Sequence, residues 1–198
     1  MKRICLIIPP SPFLLDERVF MSLGILRVAA VLEKRGVPVE MIDLSGIQNF
    51  TEALSSHLDY SESEIYGITS TTPQMPSASL LAGIIRKKKP DSRIVLGGPH
   101  PTLVLAAYKK EKARGQFGRA QRAKEDLEKV FDVIVAGDGE QAIFEAIKED
   151  CSQWIDADDP KGLLFLTNEK LNELPFPARH LVDVRVTTIQ SKAFRRRA

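Results

Sequence analysis

Three short stretches concentrate the residue types that hold a bulky, partly polar ligand. They are Ser70, Thr71, Thr72 and Gln74 in STTPQMP, Gly97, Gly98, Pro99, His100, Pro101 and Thr102 in GGPHPT, and Gly137, Asp138, Gly139 and Glu140 in GDGE. Gly97 and Gly98 remove side chains, so a flat group can approach the main chain. Pro99 and Pro101 fix the backbone and lower the entropy cost of presenting His100. Ser70, Thr71 and Thr72 offer hydroxyl and N–H groups. Ser77, read as the N-cap of the next helix, adds the positive end of a helix dipole. Any one stretch is also what a plain βα turn looks like. All three follow strand-like runs, and that shared position points to a ligand.

Other chemistries are excluded by what the residues do not offer. His100 has no identifiable carboxylate partner for acid–base work. His57 lies on a weak helix and reads as a surface residue, and His180 lies in an extended connector. The three histidines and the two cysteines, Cys5 and Cys151, show no metal-ligand spacing, so no metal site is expected. GDGEQA matches the G-x-G-x-x-A dinucleotide fingerprint, but it follows the fifth apolar run, and Glu140 would face a pyrophosphate. No GxxxxGK[ST] loop and no GxSxG elbow occur. The first run ends in PPSP, where a phosphoacceptor's acidic cluster or a flavin-phosphate loop would stand.

The elements that must position these loops alternate along the chain. Strands are expected at Ile4 to Ile8, Val39 to Ile42, Ile65 to Thr69, Ile94 to Leu96 and Val133 to Val135, short apolar runs that end at turn residues. Helices are expected at Leu23 to Lys34 (stripe Leu23, Leu26, Ala30, Val31), at Thr51 to Leu58, at Ser77 to Lys88 (stripe Leu80, Leu81, Ile84, Ile85) and at Gln141 to Asp150 (Ile143, Phe144 and Ile147 inward). Alternation of this kind implies a parallel sheet covered on both faces. Five strands suit a doubly wound, flavodoxin-like (Rossmann-like) α/β fold of order 2-1-3-4-5, in which ligands bind beyond the carboxyl ends of the strands.

Residues 1–150 are expected to form this domain. Residues 151–198 are expected to form a small hairpin, with Gly162 to Leu166 as a strand, and an extended connector from Leu174 to Leu181. Tyr108 to Lys129 is strongly charged. It reads as a solvated helix with a flexible middle at Gly115 and Gly118, or as a basic partner-binding arm. The 198 residues carry 27% charged and 43% hydrophobic side chains and a net charge of +2, too small to indicate nucleic acid or an anionic membrane. Pro9, Pro10 and Pro12 interrupt the apolar N-terminus, so it reads as a strand and loop, not a signal peptide, and the expected compartment is the cytoplasm.

Taken together, IIPPSP, GILRVAAVLEKRGVPVEMIDL, GITSTTPQMPSASLLAGIIRKKKPDSRIVLGGPHPT, FDVIVAGDGE and LNELPFPARHLVD resemble the N-terminal cobalamin-binding domain of B12-dependent radical S-adenosylmethionine (SAM) enzymes. The resemblance implies that the loops at Ser70–Gln74, Gly97–Thr102 and Gly137–Glu140 surround the corrin and its nucleotide tail. Relatives that give cobalt a histidine carry D-x-H-x-x-G after the first strand. Here the region reads PPSPFLLDERVF, which implies base-off cobalamin with no protein histidine on the metal. The family's catalytic barrel holds a [4Fe–4S] cluster on CxxxCxxC. With two cysteines this chain builds no such cluster, so it is expected to be a truncated or split module, not catalytic by itself and completed by a separate radical SAM chain. The alternative is a stand-alone corrinoid carrier or sensor.

Overall fold

The structure is a computed structural model that describes residues 2–13 and 21–182. Five apolar runs become strands: β1 Ile4–Ile8, β2 Val39–Asp43, β3 Ile65–Thr69, β4 Arg93–Gly97 and β5 Val133–Gly137. A sixth, β6 Trp154–Ala157, joins them, and all neighbours pair in parallel in the order β2-β1-β3-β4-β5-β6. The expected five-stranded sheet is therefore one strand short. β6 has only four residues and alternates half-buried with buried side chains, as an edge strand does, so it lacks the continuous apolar run of its neighbours.

The apolar sequence near it, Gly162 to Leu166, is not a strand. The Gly162 N–H bonds the Asp159 carbonyl, the Phe165 N–H bonds the Gly162 carbonyl, and the Lys170 ammonium reaches the Phe165 carbonyl. Turn bonds and a lysine thus occupy groups that a hairpin ladder would need.

Helices α1 Leu23–Lys34, α2 Phe50–Tyr60, α3 Met75–Lys88, α4 Pro99–Ala113, α5 Arg119–Val130, α6 Gly139–Ala146 and the short α7 Asn168–Asn172 complete the fold. Side chains alternate across the sheet. Ile4, Leu6, Ile8, Val95 and Val135 face α1 and α6. Cys5, Ile7, Tyr66, Ile68 and Ile94 face α2, α3 and α5. The stripes differ in detail from those expected. On α1, Ile25 and Ala29 are buried and Leu23 is 46% exposed; on α3, Ala78, Leu81, Ala82 and Ile85 are buried and Leu80 is exposed. Small alanines let these helices sit close to the sheet, and that rotates the larger residues outward. Ser77 is not the cap of α3 but a buried residue in its first turn, because a 3₁₀ turn at Thr72–Gln74 runs directly into the helix.

The charged segment forms a helical hairpin. Glu111 near the end of α4 accepts the N–H groups of Ala120 and Gln121 at 3.1 Å each, so its carboxylate caps α5 and is held below its ordinary pKa by those bonds. The connector folds back on the domain. Ala178 is buried, its N–H donates to the Leu26 carbonyl at 3.0 Å, and Leu174 and Leu181 pack on the α1–α6 side of the core. His180 Nε2 lies 3.0 Å from Glu33. Phe176 stays 94% exposed. The arginine-rich tail after Asp183 lies outside the described residues.

Candidate functional site

A doubly wound sheet has its ligand crevice where strand order reverses, here between β1 and β3. A cleft of about 580 Å³ opens there and runs across β3, β4 and β5. That volume is within the range of small-molecule sites, roughly 300–1,000 Å³. Its floor is Leu6, Gly67, Val95 and Val135, and Ile25, Val28 and Ile143 from α1 and α6 form the outer wall.

Two strand glycines line the cleft, and one of them leaves open space. Gly67 and Gly97 are on β3 and β4 and point to the cleft face, in the register Gly67↔Val95 and Thr69↔Gly97. A Cβ at Gly97 would meet no atom within 4 Å, so the missing side chain is empty space. A Cβ at Gly67 would lie 2.8 Å from Leu6 Cδ2. Gly67 was not singled out in the sequence, although a glycine inside an apolar strand run marks close approach of another group.

Thr71, Gln74, Gly97, Gly98, Pro99 and Thr102 line the cleft, as do Gly137, Asp138, Gly139 and Glu140. Ser70, Thr72, His100 and Pro101 do not line it. Ser70 is fully buried and donates to the Thr71 carbonyl at 2.8 Å. Pro101 is buried in the first turn of α4, and His100 also belongs to that turn, not to a free loop. His100 Nδ1 sits 3.0 Å from Thr72 Oγ1, and burial lowers its pKa, which favours neutral imidazole. His57 is not an isolated surface residue either, for it sits against Glu40 and Cys5 on the opposite sheet face.

Hydrogen bonds tie the loops to one another. The Ser70 N–H donates to the Gly97 carbonyl at 2.9 Å, and the His100 N–H donates to the Ser70 carbonyl at 2.9 Å. The Gln74 amide donates to the Pro9 carbonyl at 2.8 Å and accepts from the Thr71 N–H at 3.0 Å. The Thr102 hydroxyl joins the ends of β4 and β5, as detailed below. Two glycines expected to admit a ligand are instead required by the protein itself. Gly98 has φ +96°, and a Cβ there would lie 2.7 Å from Thr69 Oγ1 and 2.8 Å from the Ser70 nitrogen. Gly137 has φ +92°, and its Cβ would lie 2.5 Å from the backbone at Ala157 and Asp158.

The charge on the rim is negative. Asp138 and Asp158 are exposed there, and Glu140 is 6% exposed at the start of α6. Burial pushes the Glu140 carboxyl above its ordinary range, with Asp138 adding to the effect and Arg27 opposing it. Such a rim accepts hydrogen bonds from ligand N–H groups and disfavours a pyrophosphate at GDGE. The site is therefore an apolar trench with donors and acceptors at its mouth. Among the described residues that line it, none is histidine or cysteine.

No curated protein matches the chain. Two solved structures of the radical S-adenosylmethionine methyltransferase TsrM from Kitasatospora setae are similar at low identity. One, with tryptophan substrate and the SAM analogue aza-SAM, matches at 18% identity and TM-score 0.39 over 49% of this chain; the other, with cobalamin and a [4Fe–4S] cluster, matches at 19% and 0.41 over 55%. This chain spans about a fifth of those proteins, 19% and 22% of their length. Residues 17–128, more than half of the sequence, match the family described as B12 binding domain, and the chain belongs to that family.

Proposed function

We propose that the domain holds cobalamin for a radical SAM enzyme of the methyltransferase type. The observation that carries the reading is the glycine-floored trench at the switch point, in a chain of the B12-binding family. The motifs TTPQ, GGPHPT and GDGE support the narrower assignment to the radical SAM branch.

In this reading the apolar floor at Gly67, Val95 and Gly97 would hold the cofactor's buried part, Thr71 and Gln74 would border it at the mouth, and Asp138 and Glu140 would accept hydrogen bonds from its amides. Among the described residues the trench lining offers no imidazole, and the proposal takes the cobalamin as base-off, without a protein ligand to cobalt. Bound cobalamin supplies a cobalt centre that can carry a methyl group. The residues of this chain bind it, orient it and keep water from its buried arm. The [4Fe–4S] cluster comes from protein outside these 198 residues, since two cysteines do not provide its ligands. The partner proposed is a radical SAM catalytic module outside these residues, and the proposed setting is the cytoplasm.

Reconstitution with hydroxocobalamin tests the proposal. Corrinoid absorbance retained through desalting at one equivalent is expected, together with a rise in melting temperature of roughly 5–10 °C at a hundredfold excess over Kd. A desalted protein with no visible absorbance and an unchanged melting temperature overturns it.

A further inference from the structure

We propose that Cys5, Glu40 and His57 form a binding site for a divalent transition metal of the zinc class. The site lies on the sheet face opposite the cleft and is independent of it. Cys5 and Glu40 are register partners on β1 and β2, so their side chains leave the sheet on the same side. His57 comes down from α2 above them. Its Nε2 lies 3.2 Å from Glu40 Oε2 and 3.6 Å from Cys5 Sγ, and one ligand atom from each residue falls within 4.8 Å of the others.

The two separations from His57 Nε2 are close to those of a coordination shell. Bonds of about 2.3 Å to sulfur and about 2.0–2.2 Å to nitrogen and oxygen, arranged tetrahedrally, put sulfur and nitrogen ~3.5 Å apart and nitrogen and oxygen ~3.4 Å apart. The donor set of thiolate, imidazole and carboxylate suits zinc or cobalt(II) better than magnesium or calcium. Three protein ligands leave a fourth position for water.

Neighbouring groups orient the carboxylate, as partners of a metal ligand do. The Ser61 hydroxyl donates to Glu40 Oε2 at 2.7 Å, and Arg3 lies 3.4 Å from Oε1. Tyr66, on the other side of β1, reaches Ser61 at 3.5 Å. Cys5 is fully buried, so its thiol is shielded from dissolved oxidants.

The test titrates the cobalamin-free 198-residue protein with cobalt(II) chloride under phosphine reductant. Expected is a thiolate-to-cobalt charge-transfer band that saturates at one equivalent and is displaced by zinc. Cys5→Ser should abolish the band, and Cys151→Ala should keep it. His57→Ala, at a half-exposed position that tolerates truncation, should weaken cobalt binding by about tenfold or more. No band in the wild-type protein overturns the site. So does a band that survives Cys5→Ser, or, if that variant does not fold, unchanged cobalt affinity in His57→Ala.

Discussion

The hydroxyl of Thr102 accepts a hydrogen bond of 2.9 Å from the Gly137 N–H and donates one of 3.0 Å to the Gly98 carbonyl. One side chain thus joins the turn after β4 to the end of β5, across the mouth of the cleft. Thr102→Val keeps the shape and removes the oxygen, leaving a half-buried N–H without its partner. A loss of about 1–3 kcal/mol is expected in urea unfolding, and Thr102→Ser should recover most of it.

The paired glycines of GGPHPT should separate stability from binding. Gly98→Ala forces a Cβ into the Ser70 backbone at positive φ and should cost roughly 2–4 kcal/mol. Gly97→Ala meets nothing and should change stability by less than about 1 kcal/mol. The same methyl intrudes on the cleft, so corrinoid retention should fall by about tenfold, a loss of roughly 1.4 kcal/mol. Equal melting temperatures for the two variants would contradict this division.

Glu140 gives the fold a pH dependence of definite sign. Its carboxyl is raised in the folded state, so the native protein binds this proton more tightly than the unfolded chain. The contribution is full below the ordinary carboxylate value of 4.5 and is lost as pH rises through the raised folded value. Glu140→Gln should therefore melt higher than wild type at pH 7, and the gap should close towards pH 4. Thermal melts of the ligand-free pair across that range decide it.

Much of this architecture can be read from the residues, and the parts that cannot have physical reasons. Strands covered on both faces must be apolar throughout, so Ile4–Ile8 and Ile65–Thr69 announce themselves. Trp154–Ala157 does not, because an edge strand needs only one apolar side chain in two. Its connection is also unusual. α1 and α6 share a face, yet β2 and β6 lie in opposite directions from their preceding strands, so the two crossovers have opposite hands. The rule that such crossovers share one hand would not have placed it.

Composition places the rim loops at the carboxyl ends of the strands, but does not give the reason for each residue. Composition cannot tell Gly97, which leaves space, from Gly98, which avoids its own neighbours. Nor can it show that His57 and Glu40, far apart in sequence, meet over Cys5.

The sixth strand sets the smallest piece of this chain that can stand alone. Gly137 rests on the Ala157–Asp158 backbone, and Ala178 closes over α1. A fragment ending at residue 150 would strip both away and leave β5 with a bare row of amides and carbonyls. Such an open edge is a template for pairing with other copies. Gel filtration should therefore show the fragment ending at 150 self-associating, and the one ending at 182 should run at its own size.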